Sequence, residues 1–321
     1  MKANNNFEVI IIGGSYAGLS GALALGRSIR KILIMDTGMP CNKQTPHSHN
    51  FLTQDGQTPE QISQLAKSQV MAYPTVHLVD QKAISAKKQV DQFEIVTDTG
   101  EIYTARKILI ATGIADQLPA IKGLDECWGI SVVHCPYCHG YEVKGSVFAL
   151  IANGDLAFDM SKMLHHWSKK ISLLTNGAST LTDEQTQLIS KAGIPILEKK
   201  IVAIEHSSGM AQRILFEDGS AEPVETIFTK PAFLQSSDIA EQLGCSITSA
   251  GYIEVDEVQK TNVPGVYAAG DNSNPFRALS GAVSAGTKAG AMINRELIEE
   301  DFYKLSIWRS EERRVGKECR S

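Results

Sequence analysis

The sequence predicts an α/β protein of two Rossmann-like dinucleotide-binding domains, each three-layered, with the second inserted in the first. Three observations carry this expectation. One order of elements (apolar strand, small-residue turn, helix, strand, hairpin, closing strand) occurs twice along the chain, and a βαβ unit with such an insertion marks a dinucleotide-binding domain. The strands are almost wholly apolar, as parallel strands covered on both faces are. No third nucleotide loop follows the second repeat, so the remaining chain is expected to return to the first domain.

The first repeat opens with the strand VIIIGG, turns through glycines and enters a helix along GLSGALALGRSI. A second strand, KILIMD, ends at Asp36; a hairpin turns on DTGE (98–101), and KILIATG closes the repeat. The second repeat runs through strand SVFALIAN, a turn at Gly154, helix AFDMSKMLHHW, strand ISLLT, a hairpin on EDGS (217–220) and the closing run ETIFTKPA. The chain then continues through GYIEVDEVQKTNVPGVYAAGD to a long helix from Gly281 to about Phe302. Expected boundaries are 1–116 with 246–308 for the first domain and 117–245 for the second. Residues 309–321 (RSEERRVGKECRS) show neither helical nor strand pattern and resemble a translated sequencing adapter, so they are set aside as an artefactual tail.

Composition narrows the function classes. The 321 residues are 43% hydrophobic and 21% charged with a net charge of −5, which gives no basic surface for nucleic acid or an anionic membrane. No run nears the roughly 18 apolar residues of a membrane span, and the opening apolar run leads into a glycine turn and not a cleavage site. A cytoplasmic location is the resulting expectation. Six cysteines, Cys41, Cys127, Cys135, Cys138, Cys245 and Cys319, make no secreted disulfide framework, and only Cys135 and Cys138 form a close pair.

Gly13-Gly14-Ser15-Tyr16-Ala17-Gly18 follows a strand and opens a helix, with Ser15 at the middle glycine of G-x-G-x-x-G. Gly13 permits the tight turn, Gly18 lets helix and strand pack closely, and the helix N-terminus suits a pyrophosphate. Asp36, 18 residues beyond Gly18, stands where a carboxylate accepts from a ribose diol. A ligand-free glycine turn is the blander alternative.

Cys135-Pro136-Tyr137-Cys138-His139-Gly140 lies where the second repeat begins. Two cysteines at this spacing can close and open a small disulfide ring, and a neighbouring His139 can carry a proton near neutral pH. C-x-x-C-H also spells a c-type haem attachment. A zinc site wants about four ligands and no second cluster is present, so no metal is expected. An inert buried pair is the remaining alternative. His165 and His166 are neighbours on a helix end and point apart.

With Ala111-Thr112-Gly113 ending the closing strand and Ala268-Ala269-Gly270-Asp271 following T-x-V-P-G-V-Y, the chain resembles the low-molecular-weight thioredoxin reductases. These are flavoprotein disulfide reductases with two dinucleotide domains, and the resemblance runs from about Phe7 to Phe302. It implies FAD on the first loop, held by Gly13, Gly14, Ser15, Ala17, Gly18 and Asp36, with Ala111, Thr112, Gly113 and Gly270 alongside. Asp271 would bond the ribityl chain, and backbone amides of Ser280, Gly281 and Ala282 would meet the flavin's pyrimidine edge, although the family's Arg-Gln is absent there. The loop from Cys41 to Asn50, with Asn42, His49 and Asn50, would lie along the flavin. Cys138 would face the flavin and Cys135 would exchange with substrate; His139 replaces the family's Asp.

The second loop, Ala152-Asn153-Gly154-Asp155-Leu156-Ala157, keeps Gly154 and Ala157 as candidate NAD(P)H contacts. Where NADPH-using relatives carry arginines for the 2′-phosphate, this chain reads Thr175-Asn176-Gly177. A thioredoxin-like protein or a small disulfide or dithiol is the implied partner, and a homodimer the implied assembly. The string C-P-Y-C-H-G-Y-E also resembles flavin dithiol oxidases that pass electrons to oxygen, and a flavoprotein electron carrier or redox sensor is a third alternative.

Overall fold

The computed structural model describes residues 5–318, with side chains to Leu305. In chain order β1 (Asn6–Ile12), α1 (Tyr16–Arg27), β2 (Ile32–Asp36), α2 (Pro59–Met71) and β3 (Val76–Asp80) come first. The strands β4 (Ala83–Lys88), β5 (Phe93–Thr97), β6 (Ile102–Ile110) and β7 (Ile114–Gln117) follow. They are succeeded by α3 (Leu124–Cys127), β8 (Val132–Val133), α4 (Pro136–His139), β9 (Phe148–Ile151), α5 (Gly154–Leu164), β10 (Ile171–Leu174) and α6 (Asp183–Lys191). Next are β11 (Ile196–Leu197), β12 (Ile201–Ser207), β13 (Met210–Phe216), β14 (Ala221–Pro223), β15 (Thr226–Thr229) and β16 (Ala232–Gln235). The last are α7 (Ile239–Gln242), β17 (Val266–Ala268) and α8 (Leu279–Glu318).

The chain divides into two compact units. The first comprises residues up to Pro40, Ser63–Ala115 and Gln235 onward, and the second Cys41–Ile62 with Asp116–Leu234. In the first, parallel strands run β3-β2-β1-β6, with β17 beside the end of β6 and the antiparallel β5-β4 pair on its beginning. Successive residues of one strand serve opposite cores: Ile10, Ile12, Leu33 and Met35 pack on one face, and Val9, Ile11, Ile32 and Ile34 on the other. This two-residue period explains why the runs are apolar throughout. The second unit repeats the order as β11-β10-β9-β15-β8, with a β12-β13-β14 meander.

The units differ from the expected boundaries at residues 41–62 and 235–245, and by one residue at Asp116. Residues 41–62 lie in the second unit, where His49 meets Glu142 and Gln44 covers Gly129. The first unit resumes at Gln235 because α7 belongs to it. Ile239 and Ala240 enter its core, and Gln242 accepts from Ala86 N at 2.9 Å and donates to Ile84 O at 3.1 Å.

Helix α8 fixes the geometry of the first unit by packing on α1 through glycines. A Cβ at Gly286 would stand 2.0 Å from Ala17 O, and one at Gly290 would stand 2.6 Å from Gly21 O. Further along, Lys107 of β6 is nearly buried and holds Glu296 at 2.8 Å and Glu300 at 2.5 Å. Arg106 adds Glu300 and Asp301, and Arg30 adds Asp301 and Glu8. The helix runs on to Glu318, through most of the stretch expected to have no pattern, while residues 319–321 lie outside those described. Glu311, Glu312, Arg313 and Arg314 are good helix formers, and extending an existing helix avoids the cost of nucleation.

Candidate active site

In the first unit, the turn between β1 and α1 leaves no room for a side chain at Gly13 or Gly18. Gly13 has φ +105°, and a Cβ there would lie 2.2 Å from Ala111 O; one at Gly18 would lie 1.9 Å from Gly13 O. Ser15 caps α1 in an extended conformation without a side-chain capping bond, and the first turn holds no acidic residue. Four orphan N–H groups and the positive end of the helix dipole characterise such a terminus. Gly14 N donates to Asp36 Oδ1 at 3.1 Å, which ties the acid at the end of β2 to the loop. Lys67 of α2 pairs with the other oxygen at 3.2 Å; sequence reading missed it because nothing links positions 31 apart on different elements.

Around the ends of β6 and β17, Gly113 (φ +66°) and Gly270 (φ +97°) turn the chain, and Ala17 faces Gly270. Asp271 is half-buried, 3.7 Å from Arg277 Nε. Arg277 stands near the start of α8, three residues before Ser280, and was not anticipated. Ser280, Gly281 and Ala282 form the first turn of α8. Two buried side-chain oxygens here, Thr112 Oγ1 and Asn272 Oδ1, have no hydrogen-bond partner among the described residues. Buried polar atoms left this way call for a ligand or water.

The redox pair lies in the second unit. Cys135 and Cys138 form a disulfide across the single turn of α4, with Cα atoms 5.3 Å apart. Pro136 begins the turn, Cys135 caps it, and Cys138 N–H points at Cys135 Sγ at 3.2 Å. Pro is favoured at the first helical position, where its missing N–H forfeits nothing. Gly140 is required next, since a Cβ there would press on the Trp167 indole nitrogen at 2.9 Å. Tyr137, between the cysteines, is exposed and meets Trp167 edge-on at 5.6 Å.

His139 follows Cys138 and is half-buried. Burial pushes its imidazole below the ordinary value, the Glu142 carboxylate opposes this, and His49 adds to it. His139 is therefore a neutral proton acceptor near neutral pH. Of the expected flavin-loop residues, His49 lies 3.5 Å from Glu142, Asn50 takes φ +58°, and Asn42 O accepts from Thr45 N; all three belong to the second unit. Cys127 and Cys245 are buried, and burial pushes both thiols up, against their hydrogen bonds with Ser131 and Thr261. Cys41 is exposed. Among the described residues, no group of three or more His, Cys, Asp or Glu side chains is placed to hold a metal ion.

The second nucleotide loop is tied to itself. Asn153 caps α5 and its Oδ1 accepts from Gly154 N, Thr180 N and Thr180 Oγ1, while its Nδ2 donates to Ala178 O. Asp155 accepts from Gln185 at 2.8 Å and Glu198 from Ser179 N at 2.8 Å. Ala157 is buried against the core and Gly154 takes φ +61°. Through Ser179 the segment after β10 meets the Glu198 carboxylate, and Lys199, next to Glu198 in the chain, pairs with Asp218.

Comparison with known proteins agrees with this architecture. Residues 7–287 match the family described as pyridine nucleotide-disulphide oxidoreductase. The chain is 33% identical to thioredoxin reductase sirT of Leptosphaeria maculans, over 92% of this chain and 96% of that one. It is similar to the crystal structure of a putative thioredoxin reductase TrxB from Bacillus anthracis, with TM-score 0.88, 31% identity, and coverage of 92% and 99%. An oxidoreductase from Agrobacterium tumefaciens matches with TM-score 0.86 and 36% identity, covering 91% and 99%. The chain thus belongs to the pyridine nucleotide-disulphide oxidoreductases, and among them is a thioredoxin reductase-like, flavin-dependent oxidoreductase.

Proposed function

We propose that the protein is an FAD-dependent thiol/disulfide oxidoreductase whose Cys135–Cys138 pair passes two electrons between the flavin and a thiol or disulfide substrate. The observation that carries this reading is the disulfide closed across one helical turn beside a half-buried His139, in a chain that also holds the Gly13–Gly18 loop. FAD fits the first unit on three counts: a loop whose Gly13, Gly14 and Gly18 have no room for a Cβ, an uncapped helix N-terminus, and buried oxygens of Thr112 and Asn272 that lack partners. Gly13, Gly14, Ser15, Ala17 and Gly18 would hold its pyrophosphate, Asp36 its ribose, and Asp271 with Thr112 the chain nearer the ring. FAD, when bound, supplies a two-electron carrier.

The protein's own groups then manage sulfur and proton. A substrate thiolate attacks Cys135 Sγ, the S–S bond breaks, and Cys138 leaves as a thiolate. His139 takes up the proton released by the substrate thiol, and a second substrate thiolate resolves the mixed disulfide on Cys135. Run in reverse, the same steps reduce a disulfide such as that of a small molecule or thioredoxin-like protein. In the reduced pair the Cys138 N–H stabilises negative charge on Cys135.

The self-capped Asn153 loop, and Thr175, Asn176 and Gly177 standing where NADPH-using relatives carry arginines, favour a second reading, a dithiol oxidase that draws electrons from its substrate and passes them to oxygen. Anaerobic titration decides between the two. Bleaching of the flavin by NADH or NADPH supports the reductase. Bleaching by a dithiol alone, reversed by air, supports the oxidase, and failure of every donor refutes both.

A further inference from the structure

Residues 41–62, which the exchange chemistry above does not use, carry a braced histidine to the redox helix. Ser48 N donates to Gln57 O at 2.8 Å and Gly56 N to Ser48 O at 2.9 Å, so the loop closes on itself like a short ladder. Asn50 N donates to Asp55 Oδ1 at 2.7 Å and His47 Nδ1 meets Gly56 O at 3.0 Å. This bracing holds His49, 20% exposed, with Nδ1 3.5 Å from Glu142 and 3.7 Å from Asp55. Glu142 follows His139 by three residues in the turn that extends α4, where Val143 N reaches back to His139 O. Positions three apart in a helical turn share a face.

We propose that Glu142 and His49 are positioning residues of a charge relay, His139–Glu142–His49, that governs the base beside Cys138. It rests on the exchange reaction proposed above and assigns that reaction's proton. When a substrate thiol gives its proton to His139, its sulfur attacks Cys135 Sγ and the electron pair of the broken S–S bond stays on Cys138. The Glu142 carboxylate stabilises the imidazolium so formed, and the proton passes from it to the Cys138 thiolate. His49 controls how much of that charge Glu142 can offer. Neutral His49 leaves the carboxylate to His139; protonated His49 draws it away, together with the more exposed Asp55. Among the described residues, the charged and titratable groups around this cluster include Glu142 from the redox turn and Asp55, His47 and His49 from the loop, with the His47 and His49 rings 6.4 Å apart and Lys144, two residues past Glu142, over the Tyr141 ring at 3.3 Å.

The test is an NMR titration of histidine-labelled protein, with His139 assigned through His139→Asn. Glu142→Gln should move the His139 midpoint down by about one pH unit, and His49→Gln should move it up by a smaller amount. Glu142→Asp, which keeps the carboxylate, should restore most of the difference. A parallel measurement follows the pH dependence of the reaction of the Cys135–Cys138 disulfide with dithiothreitol. Its acid limb should move in the same directions, because attack requires neutral His139. Midpoints unchanged in both Glu142→Gln and His49→Gln overturn the relay. If the midpoints move while dithiothreitol leaves disulfide and flavin untouched in the unsubstituted protein, the relay stands and the proposed exchange reaction fails.

Discussion

Replacing Gly286 with alanine adds one methyl group to the middle of the α1–α8 seam. The new carbon would stand 2.0 Å from Ala17 O, against an ordinary contact of about 3.4 Å or more. Neither atom belongs to a flexible side chain, so the helices must part by roughly 1.4 Å. Overpacking of this kind costs about 1–3 kcal/mol. Separation also stretches the bonds from Ser20 Oγ to Val283 O at 2.9 Å and to Thr287 Oγ1 at 2.8 Å, each worth about 1 kcal/mol net. A loss near 3 kcal/mol lowers Tm by roughly 6 °C in a chain of this size. Thermal unfolding followed by circular dichroism reads it directly. Gly281→Ala, on the same helix with its nearest atom at 3.4 Å, serves as the comparison and should hold stability or add up to about 1 kcal/mol. A Gly286→Ala protein melting within about 1 °C of the parent would refute the seam.

Three further outcomes follow from the charge network and the disulfide. Burial alone would raise Glu296, Glu300 and Asp301, but hydrogen bonds and charges from Lys107, Lys260, Arg106 and Arg30 outweigh it and hold all three below their ordinary values. A depressed carboxylate stabilises the fold above its unfolded value, near about 4, and loses that contribution as pH falls through the folded value; denaturant midpoints should therefore drop below about pH 4.5. Lys107→Met should cost about 2 kcal/mol at neutral pH and flatten this acid-side fall, since both acids keep a second cation. Cys135→Ser should abolish turnover of thiol substrates while FAD stays bound, measured by flavin absorbance after gel filtration; loss of flavin would contradict the division of roles.

Much of this arrangement was legible in the sequence because its signals are contiguous. Gly13 and Gly18 are separated by one helical turn's worth of chain, and Asp36 ends the next strand, so loop and acid could be read together. The C-x-x-C ring is local by nature. Pairings between distant segments carry no such signal. Lys67 on Asp36, Lys107 under α8, and His49 on Glu142 arise only when elements fold onto each other. Helix α7 has four residues, too few for a 3.6-residue period to show, so the return of the chain was placed at 246 and not at 235. The loop 41–62 has no apolar periodicity, and its membership of the second unit rests on polar contacts that sequence does not display.

The order in which the units are threaded bears on how the chain matures on the ribosome. Strand β6 ends at Ile110, but its neighbour β17 and the covering helix α8 are made about 150 residues later. At bacterial-to-eukaryotic synthesis rates of about 5–20 residues per second, the α1 side of the first sheet waits roughly 8–30 s for its lid. During that interval Val9, Ile11 and Leu109, fully covered in the finished protein, have no partner helix from α8. The inserted unit, complete once Leu234 has emerged, can settle first. A nascent-chain holdase would therefore be needed most for the half of the protein that is synthesised earliest.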